Sequence, residues 1–310
     1  MLLDDFRLAI ACYDKAIELC PDGYDFWVQK GIACRSREDY AEAVTCFEKA
    51  IEINPDNEEA WYERDETLSQ FSEEVFEEGT KLYEEKDYEK ALQLFEKALE
   101  IDPSHIKARR ALKKTQKKIA EIYEAIQWCD RAIELNPMDA LVWNFKGCAL
   151  CELKKWEDAI ECYDRALQIN PSLALAWKNK GILLAKRNQF EEALECFERA
   201  VEIEPQNADA WFHRGAVLGA MRRFQDALDS YSRAVELNPK HADAWFNMAL
   251  CLTAMGRMAE GAKAIRKFLG IARSRKYPER IDRAQSMLGE LRVFELIESS
   301  QNRDKDKGIS

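Results

Sequence analysis

The chain has 310 residues, 47% of them apolar and 33% charged, with a net charge of -11 at pH 7. That composition excludes a disordered polyelectrolyte and argues against general nucleic-acid binding. No run of eighteen apolar residues occurs, so no membrane span is expected, and the acidic start MLLDDFRLAIAC does not read as an export signal. A soluble cytoplasmic protein is the expectation.

Seven of the eight prolines, Pro21, Pro55, Pro103, Pro137, Pro171, Pro205 and Pro239, are spaced 34, 48, 34, 34, 34 and 34 residues apart. The opening stretch FRLAIACYDKAIELCP carries only the second half of this period. A full unit follows. Aligned on Trp27, Trp143, Trp177, Trp211 and Trp245, the copies place Gly31, Gly147, Gly181 and Gly215 four residues later, with Ala249 in the last. Further on come Ala43, Ala159, Ala193 and Ala227, then Phe47, Tyr163, Phe197 and Tyr231, then Ala50, Ala166, Ala200 and Ala234. Apolar residues recur at helical spacing on both sides of a polar turn such as RSRED. The pattern predicts two helices of about 13–15 residues per unit. The small Gly and Ala let the backbones approach, the aromatics fill the wedge, Pro ends the second helix and a nearby Asp or Asn caps the next.

These columns resemble the tetratricopeptide repeat family over most of residues 1–275. The resemblance implies an all-α, right-handed α-α superhelical solenoid of 34-residue helix-turn-helix repeats, its first helices lining a concave groove. The expected organisation is a truncated repeat plus one full repeat at 1–57. Residues 58–118 hold an irregular long helix, one repeat (72–105) and a basic helix. The main block is 119–275, with copies 140–173, 174–207, 208–241 and a degenerate 242–275. A capping helix at 276–300 and a disordered tail at 301–310 close the chain.

Two interruptions, around 58–71 and 106–125, break the array. After Trp61 the expected Gly is Asp65, and a fresh unit starts near Ser72 with Val75 in place of Trp. Either 58–71 is a separate helix and Ser72 caps the next, or one helix runs from about 58 to 85; helix parity favours the second. In that case Trp61, Leu68, Val75 and Leu82 would share a face. In the copy at 106–139, Arg109 and Lys113 replace Trp and Gly. There Ala108, Leu112, Thr115, Ile119, Ile122, Ile126, Cys129 and Ile133 alternate steps of four and three, which predicts one continuous helix of about 28 residues or a polar capping helix running into the next block. Charge is uneven at the same place. Residues 58–102 hold 16 acidic and 5 basic residues, whereas HIKARRALKKTQKK holds seven bases and no acid. A solvated helix balancing its acidic neighbour is the simpler reading; contact with an acidic partner or nucleic acid is the other.

Chemistry is sparse. His105, His213 and His241 stand outside any familiar metal or catalytic spacing, and no phosphate loop, dinucleotide fingerprint or nucleophile elbow occurs. Cys148 and Cys151 form a single CxxC without the second pair that zinc needs. Cys12, Cys46, Cys162 and Cys196 recur in register and read as packed, reduced thiols. The expectation is therefore no enzyme, no metal and no cofactor. By helical geometry, residues two before and one, five and eight after each Trp share the exposed face of the first helix. The candidate peptide-binding residues are Asn144, Cys148, Lys178, Asn179, Ile182, Phe212, Phe246, Asn247 and Leu250. Amides there suit a peptide backbone and the aromatics its side chains; the alternative is that many of them pack against facing helices. Chaperone-tail-binding members of the family grip a terminal carboxylate with Lys, Asn and Arg, but Lys178 is followed by Ile182 where Asn would be needed. The expected partner is a protein or peptide, with no nucleic acid and no membrane. The rival reading is a homodimer formed through 58–85 and 106–133.

Overall fold

The computed structural model describes residues 2–272 and 277–290. Among these, every regular element is a helix: α1 (Leu2–Leu19), α2 (Tyr24–Arg35), α3 (Tyr40–Ile53), α4 (Glu58–Glu84), α5 (Tyr88–Ile101), α6 (Ile106–Leu135), α7 (Ala140–Glu152), α8 (Trp156–Ile169), α9 (Ala174–Lys186), α10 (Phe190–Ile203), α11 (Ala208–Ala220), α12 (Phe224–Leu237), α13 (Ala242–Ala254) and α14 (Met258–Ile271). Residues 278–290 are also helical. The expected tail 301–310, and the expected capping helix beyond 290, lie outside the described residues. Two compact units result, one of residues 1–125 with 152–154, the other of 126–151 with 155–310. Each is a solenoid-type stack of helix hairpins.

The same local physics builds every hairpin. A Cβ on Gly31, Gly79, Gly147, Gly181 or Gly215 would come within 2.6–2.9 Å of the ring of Phe47, Phe95, Tyr163, Phe197 or Tyr231 respectively. The ring therefore lies directly on the backbone of the first helix, and only hydrogen leaves room for it. Those five rings are at most 2% exposed, and Ala43, Ala91, Ala159, Ala193 and Ala227 beside them are fully buried. The Trp side chains are less buried and do a second job. The indole N–H groups of Trp61, Trp143, Trp177, Trp211 and Trp245 donate to the carbonyls of Pro55, Pro137, Pro171, Pro205 and Pro239 at 2.9–3.0 Å. Each first helix is thus tied to the turn before it. In the copy at 106–139, which also lacks Trp, the Arg109 guanidinium donates to the Pro103 carbonyl instead.

Two details of the turns repeat. Between first and second helix, Glu38, Lys86, Lys154, Asn188 and Arg222 adopt left-handed φ of 56–62°, and Gly256 has 75°. Before five of the helices, the second residue after Pro caps the helix with its side chain, whereas Gly23 and Leu173 at the same place do not. Asn57 and Asn207 accept the amide N–H three residues on, at 3.1 Å each, and Asp139 accepts from Val142 at 3.3 Å. His105 and His241 do the same with Nδ1, accepting from Ala108 and Ala244 at 3.3 and 3.2 Å. Their protons therefore sit on Nε2, facing Glu73 at 3.1 Å and Asp209 at 3.3 Å. Two of the three histidines are helix caps.

In the first unit, α4 is one uninterrupted helix of 27 residues. Ser72 does not cap it; it is fully buried in mid-helix and its hydroxyl donates to the Ala98 carbonyl at 2.8 Å. The N-terminal half of α4 closes the α2–α3 hairpin, where Arg35 of α2 pairs with Glu63 at 2.5 Å. Its C-terminal half forms a hairpin with α5 around Gly79 and Phe95. The face through Trp61, Leu68, Val75 and Leu82 is not buried alike: Val75 is buried while Trp61 is 39% exposed. The sheltered line is instead Ala60, Thr67, Ser72, Val75 and Gly79, because the helix changes packing partner halfway along. The helix α6 spans 30 residues with Ala108, Thr115, Ile122 and Cys129, seven apart, buried. Its residues 106–125 belong to the first unit and 126–135 to the second. Lys113, at the Gly position, would collide with an aromatic, so no second helix folds back there.

In the second unit an ion pair recurs sixteen residues apart: Lys146 with Asp130 at 2.6 Å, Lys180 with Asp164 at 2.5 Å and Arg214 with Glu198 at 3.3 Å. Each links a first helix to the second helix of the repeat before. In the first unit Lys30 makes the same pair with Asp14 at 2.8 Å and adds Glu42 at 3.0 Å. Burial disfavours the Lys30 charge, yet the two carboxylates outweigh it and hold the ammonium above its ordinary range. All ten cysteines are free. Cys46, Cys162 and Cys196 are buried as expected, but Cys12 is exposed.

Candidate functional site: a groove on the first helices of the second unit

The successive first helices α7 and α9 are linked by side chains one repeat apart. The Asn179 amide donates to Asn144 Oδ1 at 3.0 Å and lies 3.3 Å from Cys148 Sγ. Tyr163 from α8 reaches between them, its hydroxyl 3.5 Å from both Cys148 and Cys151 sulfurs. Burial first, and these sulfur contacts next, push the Tyr163 phenol well above its ordinary range, so it stays protonated.

Two clefts open beside this cluster. One, of about 130 Å³, is lined by Cys148, Cys151, Tyr163, Asn179, Ile182, Leu183 and Lys186. The other, of about 320 Å³, is lined by Ile182, Ala185, Lys186, Phe190, Phe197, His213, Ala216, Val217 and Ala220. They meet at Ile182 and Lys186, so together they run across α7, α9 and α11. The lining is mostly apolar, with Asn179, Lys186 and His213 as polar points. His213 stacks on Phe197 with ring centroids 5.6 Å apart and touches Phe212 edge-on at 5.1 Å. Burial, then the charge of Lys178, pushes its pKa down to about 4, so the ring is neutral near pH 7. Among the described residues, neither Lys178 nor Lys186 has a carboxylate within ion-pair distance.

The expected site residues divide. Cys148, Asn179 and Ile182 line the clefts. Lys178, Phe212, Asn247 and Leu250 are partly exposed but do not line them. Asn144 and Phe246 do not lie on an exposed face; they are 0% and 4% exposed. Asn144 is covered by Asn179 of the next repeat. Phe246 is covered by Phe268, 5.0 Å away, and by Arg280, 5.7 Å from its ring. The residue one after Trp is thus buried in two copies of this unit and partly exposed in the other two. His213 and Lys186 were missed; His213 stands two after its Trp, in the column of Asn179 and Asn247, and Lys186 nine after its own. No group of three or more His, Cys, Asp or Glu able to hold a metal occurs among the described residues. None of their helices is long and apolar enough to cross a membrane.

Five family models, each described as tetratricopeptide repeat, match residues 1–22, 24–57 and 208–241, 82–147, 145–217, and 230–263. The chain belongs to the tetratricopeptide repeat family. Tetratricopeptide repeat proteins are in general protein-interaction scaffolds, and the repeats make this chain one. Similar solved structures include the crystal structure of MamA, 21% identical, covering 52% of this chain and 92% of that one, TM-score 0.47. The MamA RS-1 ArsTM double mutant is 20% identical, covering 54% and 94%, TM-score 0.47. The first TPR of Spaghetti (RPAP3), bound to HSP90 peptide SRMEEVD, is 24% identical, covering 38% and 94%, TM-score 0.38. A search of curated proteins gave no match.

Proposed function

We propose that the groove across α7, α9 and α11 takes an extended segment of a partner protein. The observation that carries this reading is the pair of clefts meeting at Ile182 and Lys186. Their apolar walls suit side chains of the segment, the Asn179 amide suits its backbone, and Lys178 and Lys186 favour acidic or carbonyl-rich stretches. Neutral His213 adds a donor or acceptor without a competing charge. The test is affinity capture with the full chain, then peptide mapping of what is retained. The variant Ile182→Asp with Lys186→Glu should lose the partner while keeping its helical circular dichroism. Retention by that variant, at undiminished affinity, removes the groove from consideration.

A second reading, self-assembly through residues 58–85 and 106–133, draws on exposed Trp61 and Tyr62 in α4 and Tyr123 and Trp128 in α6. Light scattering across a concentration series separates the two. A mass that stays at one chain throughout disposes of self-assembly.

A further inference from the structure

The basic stretch of α6 has no role in that groove, and the first unit shows what its charges do. Of its seven cations, Lys107 pairs with Glu73 at 2.7 Å, Lys118 with Glu152 at 3.0 Å and Lys117 with Glu121 at 3.7 Å, while Arg109 is bonded to Pro103. Arg110, Lys113 and Lys114 are left without a carboxylate within ion-pair distance among the described residues. They are all exposed. At i, i+3 and i+4 they form one ridge on the helix. Lys113 is free to face solvent because no second helix returns over the Gly position it occupies.

Beside this ridge lies a cavity of about 160 Å³ between α4, α5 and α6. Its walls include Phe76, Tyr83, Phe95 and Thr115, and Lys114 lines its α6 side. The Lys114 ammonium stands 4.6 Å from the Tyr83 ring centroid, so this cation sits over the aromatic wall. A dry pocket of roughly 150 Å³ accommodates a group the size of benzene, hence one leucine-sized side chain. The chain is acidic as a whole and strongly so over 58–102, yet here it concentrates unpaired positive charge next to an apolar socket.

We infer that the first unit carries a second binding site, at which an acidic peptide segment lays its carboxylates along Arg110, Lys113 and Lys114 and inserts one apolar side chain between Phe76, Tyr83 and Phe95. Charge complementarity selects the acidic class, and the socket selects members with a bulky apolar residue among the acids. The site does not depend on the groove of the second unit.

The experiment is fluorescence anisotropy on the full chain with a fluorescein-labelled decapeptide of glutamates around one leucine. Parallel arms use the same peptide with serine for leucine, a lysine-for-glutamate counterpart and a labelled uridine oligonucleotide. The acidic leucine peptide should bind, weaken with salt, and lose about tenfold or more in affinity in Lys113→Glu/Lys114→Glu. The serine peptide should bind more weakly than the leucine one, and that difference should vanish in Ala111→Phe, which fills the socket. Ile182→Asp with Lys186→Glu, in the other unit, should bind the peptide as the parent does. Circular dichroism of each variant checks folding, and Ala111→Phe keeps the test alive should charge reversal unfold the helix. Equal binding of the lysine peptide, or indifference to leucine, overturns the inference. Tighter binding of the oligonucleotide than of any acidic peptide transfers the ridge to nucleic acid. A dimer that Lys113→Glu/Lys114→Glu dissociates assigns it to the acidic face of a second copy.

Discussion

Arg109 occupies the place of tryptophan in its repeat and delivers the same hydrogen bond, its guanidinium donating to the carbonyl of Pro103 six residues earlier. What the position demands is a long side chain ending in N–H, which ties the helix start to the preceding turn. Arg109→Ala should lower stability by about 0.5–1.5 kcal/mol. Arg109→Trp should restore most of that, since indole serves at six other places in the array. Urea denaturation of the three proteins decides it; a tryptophan variant no better than alanine would mean the bond contributes nothing.

Gly181 lies under the Phe197 ring, with a Cβ there only 2.9 Å from it. Gly181→Ala should destabilise the second unit by about 1–3 kcal/mol through overpacking. In a Phe197→Leu background the same change should cost much less, because the clashing atoms are gone. A double-mutant cycle reads this coupling directly. Additive costs would show that the ring can step aside freely.

The hairpin turns carry left-handed residues that are mostly not glycine, Arg222 among them at φ 60°. Such a residue is strained by about 1 kcal/mol relative to glycine, partly offset by glycine's greater freedom in the unfolded chain. Arg222→Gly should therefore raise the thermal midpoint slightly. Gly256→Ala, at φ 75°, should lower it. Opposite signs at these equivalent positions are the diagnostic outcome of thermal melts.

His213 makes the second unit pH-sensitive. Its folded pKa, pushed down to about 4 by burial and then by Lys178, lies below the ordinary 6.5, so the unfolded chain binds the proton more readily. The stability this contributes is complete above pH 6.5 and is lost progressively as pH falls from there toward 4. By pH 5 the loss should reach about 1–2 kcal/mol. His213→Gln should flatten that part of the pH–stability curve. Parallel curves for the two proteins would mean that the imidazole protonates in place.

The period and the two long helices were legible because each rests on regular spacing along the chain. Lys113 at a glycine position and the steps of four and three from Ala108 to Ile133 announced that α6 would not turn back. Three things were not legible. The Trp-to-Pro bonds join residues whose pairing depends on how the chain enters the helix. The Lys180–Asp164 series crosses between repeats, where sequence spacing does not fix a distance. The burial of Asn144 and Phe246 was the third, since a wheel drawn for one helix cannot say which edge the neighbouring repeat covers.

The doubled role of α4 has a mechanical consequence. Separate hairpins can open one at a time, each leaving its neighbours intact, as in a one-dimensional chain of weakly joined segments. Here the α2–α3 hairpin and the hairpin with α5 lean on opposite halves of one rigid rod, so neither can fray without exposing the rod that supports the other. Hydrogen exchange across α2 to α5 should accordingly proceed as one cooperative block, slow at both ends together, and pulling on this part of the chain should yield a single rupture rather than a staircase.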